Sequence, residues 1–209
     1  MEPNQAAEHL QTIRTLMERS AVYRRALAPL MMYCGVLGLV AGVIGDLLPL
    51  HSTRGFVLFW AGIAVLALSG SFLLVRRQAL RASEPFWSPP TRRVMQALLP
   101  GLVAGALAGS VMVYENPFWY ECHYLVPAWC ILFGLAIHSA GFFTPQGLKL
   151  FGWIFIAAGF LLLAGCVAGE SINLALFLQP HWLMGLTFGG LHLAYGIYLY
   201  FTEPRGKTS

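Results

Sequence analysis

Charge is scarce in this 209-residue chain: 11% of its residues are Asp, Glu, Lys or Arg, against 57% hydrophobic, and the mean hydropathy is +0.66. A soluble domain of this length cannot hide so much apolar surface, so lipid is the solvent that the composition requires for most of it. Other absences narrow the chemistry. No two of Cys34, Cys122, Cys130 and Cys166 form a C-x-x-C pair, which removes the signature of zinc ribbons and thioredoxin-like motifs. The sequence also lacks G-x-S-x-G, a Walker-type phosphate loop and H-E-x-x-H, and with them the common nucleophile, phosphate-cradling and zinc-protease patterns. The start of the chain lacks the short basic stretch, apolar run and small-residue site of a cleavable signal, so the first apolar helix is expected to stay as an anchor. The balance is basic, but the arginines lie beside apolar runs and not in a separate basic domain, which argues against a nucleic-acid partner.

What is present is a succession of six apolar runs, each of about 20 residues and so long enough to cross a hydrocarbon core of about 30 Å as a helix. They fall at 28–48, 55–75, 94–114, 123–143, 148–169 and 181–201, within a transmembrane domain of residues 28–201. Short breaks such as "LPLHSTR", "ENPFWYE", "TPQG" and "LQP" separate them, and the one longer link is the basic loop 76–93. Residues 202–209 form a short tail. Arg14, Arg19, Arg24, Arg25, Arg76, Arg77, Arg81, Arg92, Arg93, Lys149, Arg205 and Lys207 fall on one side, and Arg54 alone on the other. That asymmetry places both termini in the cytoplasm of a bacterial inner membrane.

Asp46, Glu115, Glu121 and Glu170 sort to the outer side. Asp46, Glu115 and Glu170 each close an outward-running helix, so the expected architecture is an all-α membrane protein of three successive helical hairpins. The echo between "RRALAPLMMYCGVLGLVAG" (24–42) and "RRVMQALLPGLVAGALAG" (92–109) fits triplication of one hairpin, although membrane hairpins share such composition in any case. Before the first span, residues 1–27 carry Ala6, Leu10, Ile13 and Met17 at helical spacing, with Asn4 as cap and Glu8 in the early turns. This segment reads as an amphipathic helix on the cytoplasmic interface, with a partner-binding helix as the alternative. Arg24, Arg25, Arg76, Arg77, Arg92 and Arg93 are placed to meet anionic lipid, at about 1 kcal/mol each. In the loop 76–93, Phe86 and Trp87 of "EPFWSPP" are expected in the head-group layer.

Lipid removes the hydrophobic reason for helices to associate, so close packing through small residues has to supply it. Gly38 and Gly42, Gly101, Gly105 and Gly109, Gly165 and Gly169, and Gly185 and Gly189 recur at fourfold spacing and mark helix contact faces, or the seam of a homo-oligomer. Pro29, Pro100 and Pro127 are expected in the first turns of their spans, where a missing donor costs little.

Polar residues deep in lipid are costly, and here they are few: Asp46, His138 and His192. They are candidates for helix–helix polar contacts or for a polar pathway, with His138 and His192 placed to face one another. A haem reading needs paired imidazoles. His123 and His138 are separated by about 60° and about 22 Å, and His181 and His192 by about 20° and about 16 Å, so each pair shares a helix face. The unequal rises and the position of His123 and His181 at span starts weigh against it, and no cofactor is expected. Cys122 and Cys166 lie at similar outer depth, where a disulfide could form in an oxidising periplasm. "ENPFWYECHY" (115–124) reads as the outer turn between the third and fourth spans, its aromatics serving as interfacial anchors. Glu115, Glu121, Cys122, His123, Glu170 and His181 then share the outer face and form a candidate cation or pH site.

The pattern "GVLGLVAGVIGDLLPL" followed by "FVLFWAGIAVLALSGSFLLV", and "LKLFGWIFIAAGFLLLAG" followed by "HWLMGLTFGGLHLAYGIYLYF", resembles the HdeD-type acid-resistance membrane proteins. That resemblance implies six short Gly-rich helices paired as hairpins, and it carries no functional residue across. The N-terminal segment and the "EPFWSPP" loop depart from it. The size also suits hexameric acetate and succinate channels, whose Asn-Pro-Ala-Pro-Leu-Gly signature is missing. The reading expected is a non-catalytic membrane scaffold or stress-linked accessory protein. A small-solute or proton channel is the alternative, and a haem- or metal-binding redox module the third.

Overall fold

The computed structural model describes residues 27–50, 52–81, 87, 89–115, 122–144, 147–167 and 179–202. The expected amphipathic helix, with Arg24 and Arg25, lies outside the described residues, as do Glu121, Gly169, Glu170 and the tail beyond Thr202. Every described element is helical, and no strand occurs among the described residues. In chain order they are α1 (Leu27–Leu47), α2 (Thr53–Arg81), α3 (Pro89–Glu115), α4 (Cys122–Ala140) and α5 (Gly147–Val167). A last helical stretch, α6, joins Pro180–Met184, a π-helical turn Gly185–Gly190 and Leu191–Thr202. α1 to α5 are long and apolar enough to cross a membrane, and the chain is a multi-pass membrane protein.

Two boundaries differ from the hydropathy reading. Arg76 to Arg81 extend α2 and do not belong to a loop, because "RRQALR" is built from strong helix formers. With 29 residues α2 is about 43 Å long, well beyond the hydrocarbon thickness. α3 starts at Pro89, a residue type whose fixed φ suits a first helical position, and therefore reaches back past Arg92 and Arg93. Pro100 consequently sits inside α3 and not in a first turn.

α4 holds the centre: half of its apolar window is buried, against 11% for α2 and 6% for α3. Its most extensive partner is α5. Gly134 lies against the Gly152 carbonyl and Ile156, Gly152 against the His138 backbone, and Gly159 against Pro127 and Ile131, so antiparallel backbones touch at three levels. α3 covers another side of α4, with Gly101 against Ala136, and with the Trp129 indole donating to the Gly105 carbonyl at 2.8 Å.

α1 packs against α6 in the same manner. Gly35 meets Leu193, Gly38 meets Gly189, Gly42 meets Gly185, Gly45 meets the His181 ring, and Gly196 meets Met31 and Met32. The two numberings run in opposite directions, so the helices are antiparallel over about 22 Å. A methyl group at Gly38 would stand 2.7 Å from the Gly189 Cα, a distance only glycine permits. α2 joins α1 through the Tyr33 hydroxyl, which donates to the Leu66 carbonyl at 2.9 Å, and through Cys34 and Ser71, 3.5 Å apart. The close backbone pairings thus join α4 to α5 and α1 to α6, helices that belong to different members of the expected hairpins.

Candidate functional site

Three imidazoles sit within the apolar body of the bundle, each held by a different set of helices. His192 on α6 places Nδ1 2.6 Å from the Phe188 carbonyl, a contact in which Nδ1–H must donate. The ring is buried among Phe133 of α4 and Phe151 and Phe155 of α5, with centroids 5.2 to 5.4 Å away. Tyr195 stacks on Phe151 at 4.5 Å. A π-turn, Gly185–Gly190, immediately precedes His192. Thr187 Oγ1, within the turn, donates to the Leu183 carbonyl at 2.6 Å, one turn before the bond from His192 to Phe188.

His181, at the start of α6, is enclosed by α1 and α2. The Trp60 indole donates to its Nδ1 at 3.1 Å, so the neutral ring carries its proton on Nε2, the opposite tautomer to His192. Phe56, Phe59 and Trp60 surround the ring with centroids 5.0, 5.5 and 6.2 Å away, and Gly45 closes the remaining side. Phe56 stacks in turn on Trp129, which carries the contact across to α4.

His138 occupies the α4–α5 seam. Its Nδ1 lies 3.3 Å from the Lys149 carbonyl, and its ring meets Phe142 and Trp153 edge-on at 5.5 and 5.4 Å. His138 lies about 140° round α4 from Phe133, the residue that faces His192. The two imidazoles therefore do not face one another as their depth alone suggested. His181 and His192 do not share a packing face either, since the π-turn between them re-aims the helix: one ring looks to α1 and α2, the other to α4 and α5.

Of the residues expected on the outer face, Glu121 and Glu170 lie outside the described residues. Asp46 is exposed near the end of α1, Glu115 ends α3, and His123 is buried in the first turn of α4, where its carbonyl accepts the Cys166 thiol at 3.6 Å. Tyr124 donates to the Cys166 carbonyl at 3.5 Å, so residues 123 and 124 are the ones that face α5. Cys122 is fully buried on the opposite side of α4, about 140° from Pro127. All four cysteines are free thiols, and the Cys122–Cys166 bridge does not form because the two thiols point to different faces. Among the described residues no three His, Cys, Asp or Glu side chains gather into a group that could hold a metal ion.

Of the expected packing glycines, Gly38, Gly42, Gly101, Gly109, Gly185 and Gly189 make close helix contacts, and Gly105 holds Trp129. Arg76, Arg77, Arg92 and Arg93 are all exposed. Trp60, Trp129, Thr187 and the phenylalanine box were not singled out by the sequence. The available signal was the depth of Trp60 and Trp129, since an indole away from the interface needs an acceptor inside the bundle. Comparison with protein-family models, with curated proteins and with solved structures gives no match to this chain.

Proposed function

We propose that the chain is a six-span, non-catalytic scaffold or stress-linked accessory protein of a bacterial inner membrane, with both termini cytoplasmic. One observation carries this reading: His181 and His138 each spend a ring nitrogen on another helix, on the Trp60 indole and the Lys149 carbonyl, inside aromatic packing, as polar groups do when they tie helices together. The antiparallel contact of α6 with α1 supports a sixth span, because α6 then covers the same depth. The exposed arginines at the close of α2 and the start of α3 support the cytoplasmic assignment of that end and its contact with anionic lipid. The likeness in hairpin pattern to HdeD-type proteins supplies the stress-linked part.

A small-solute or proton pathway is the second reading, favoured by the π-turn beside His192, a type of irregularity frequent at functional positions. Reconstitution decides between them. Liposomes carrying the wild-type protein are loaded with a pH-sensitive dye and given a proton gradient, with His192→Phe in parallel. The scaffold reading expects both to leak no faster than empty liposomes; wild-type flux that the substitution abolishes overturns it.

A further inference from the structure

The turn between α4 and α5 gathers a cation and several aromatic rings at the end of the bundle that carries most of the positive charge. The Lys149 ammonium stands 3.9 Å over the Phe142 ring. Gly141 makes this reach available: the Lys149 stem crosses it so closely that a Cβ there would meet the Lys149 Cγ at 2.6 Å. His138 fixes the arrangement, since its Nδ1 binds the Lys149 carbonyl while its ring touches both Phe142 and Trp153. Neither α4 nor α5 contains a carboxylate, and among the described residues none pairs with Lys149. Beside the ammonium the surface is apolar and open: Phe142 and Leu150 are each 65% exposed, Trp153 57% and Ile154 42%. Leu150, Trp153 and Ile154 fall on one stripe of α5 that runs from the charged end toward the middle of the bundle.

We propose that this seam is a discrete binding site for an anionic phospholipid. Lys149 takes the phosphate, Trp153 and Phe142 flank the glycerol region, and the α5 stripe carries an acyl chain. His138 is a positioning residue that holds the lysine backbone and both rings. The charge selects an anionic headgroup, and the stripe selects a lipid over a free phosphate, which has nothing to place there. The site is separate from the exposed arginines at the close of α2 and the start of α3. The proposal rests on the reading of the chain as membrane-embedded. Binding measured in detergent does not depend on which way the chain threads, so its failure and that of the orientation are separate results.

The test is native mass spectrometry of the full chain in a neutral detergent, with phosphatidylglycerol and phosphatidylcholine supplied in equal amounts. Wild-type protein is expected to retain phosphatidylglycerol preferentially, Lys149→Gln to lower that retention about fivefold, and Arg54→Gln to leave it unchanged. Should Lys149→Gln not elute as a monodisperse species, Phe142→Leu keeps the charge and removes the ring beneath it, with an expected loss of about threefold. Wild-type retention in the lysine variant, or in Phe142→Leu where that variant replaces it, overturns the proposal. So does displacement of the lipid by glycerol phosphate at the same concentration, which would make the site one for a free phosphate.

Discussion

An imidazole in hydrocarbon needs polar partners, and the ones that meet Nδ1 in this chain set its most local predictions. Trp60 is the donor to His181 Nδ1, so Trp60→Phe keeps the ring and removes the bond. The substitution is expected to cost about 1 kcal/mol, read as a lower thermal midpoint in detergent; an unchanged midpoint would mean that the contact contributes nothing. His192 is different, because among the described residues its one hydrogen bond is to a carbonyl of its own helix while three rings enclose it. His192→Phe should therefore hold stability within about 1 kcal/mol, whereas His192→Ala leaves a void among Phe133, Phe151 and Phe155 and costs about 3 kcal/mol. Equal losses in the two variants would show that the hydrogen bond, and not the filled box, is what the bundle needs. The sequence marked both histidines by depth. It could not show their partners, because depth follows from position along a span while partners follow from rotation about it, and the π-turn changes that rotation between His181 and His192.

At the scale of the helices, two glycines offer a matched pair. A Cβ at Gly38 would fall 2.7 Å from the Gly189 Cα, while one at Gly62 of α2 meets nothing within 4 Å. Gly38→Ala should push α1 away from α6 and lower stability by about 1–3 kcal/mol. Gly62→Ala should be neutral or raise stability by up to about 1 kcal/mol through helix propensity alone. Thermal denaturation of both variants in one detergent checks the pairing, and similar behaviour would mean that the close α1–α6 approach is absent. Hydropathy located these helices well, since apolar length is what a bilayer selects. It was less informative where helices leave the apolar layer: Arg76 to Arg81 continue α2 on propensity, and the Pro89 start puts Pro100 inside α3. Fourfold glycine spacing pointed to Gly38, Gly42, Gly185 and Gly189, which lie where α1 and α6 meet, yet spacing carries no information about which face meets which.

For the whole molecule, the arrangement of charge is a statement about orientation that can be read in intact cells. Ser52 is exposed between α1 and α2, and Thr144 lies in the turn before α5. In a background with Cys34 replaced by alanine, the remaining native thiols, Cys122, Cys130 and Cys166, are buried and should label slowly. A membrane-impermeant maleimide should then modify Ser52→Cys from outside and Thr144→Cys only after permeabilisation; the reverse order would invert the topology. The contact between the first and last helices bears on how such a chain is made. Membrane insertion proceeds from α1 onward, and the glycine face of α1 that receives α6 is complete long before α6 leaves the ribosome. Until then, that face is a backbone-deep trough still waiting for α6, so a nascent chain halted before residue 180 should be a substrate for membrane quality control, and a separately supplied α6 peptide should be able to rescue it.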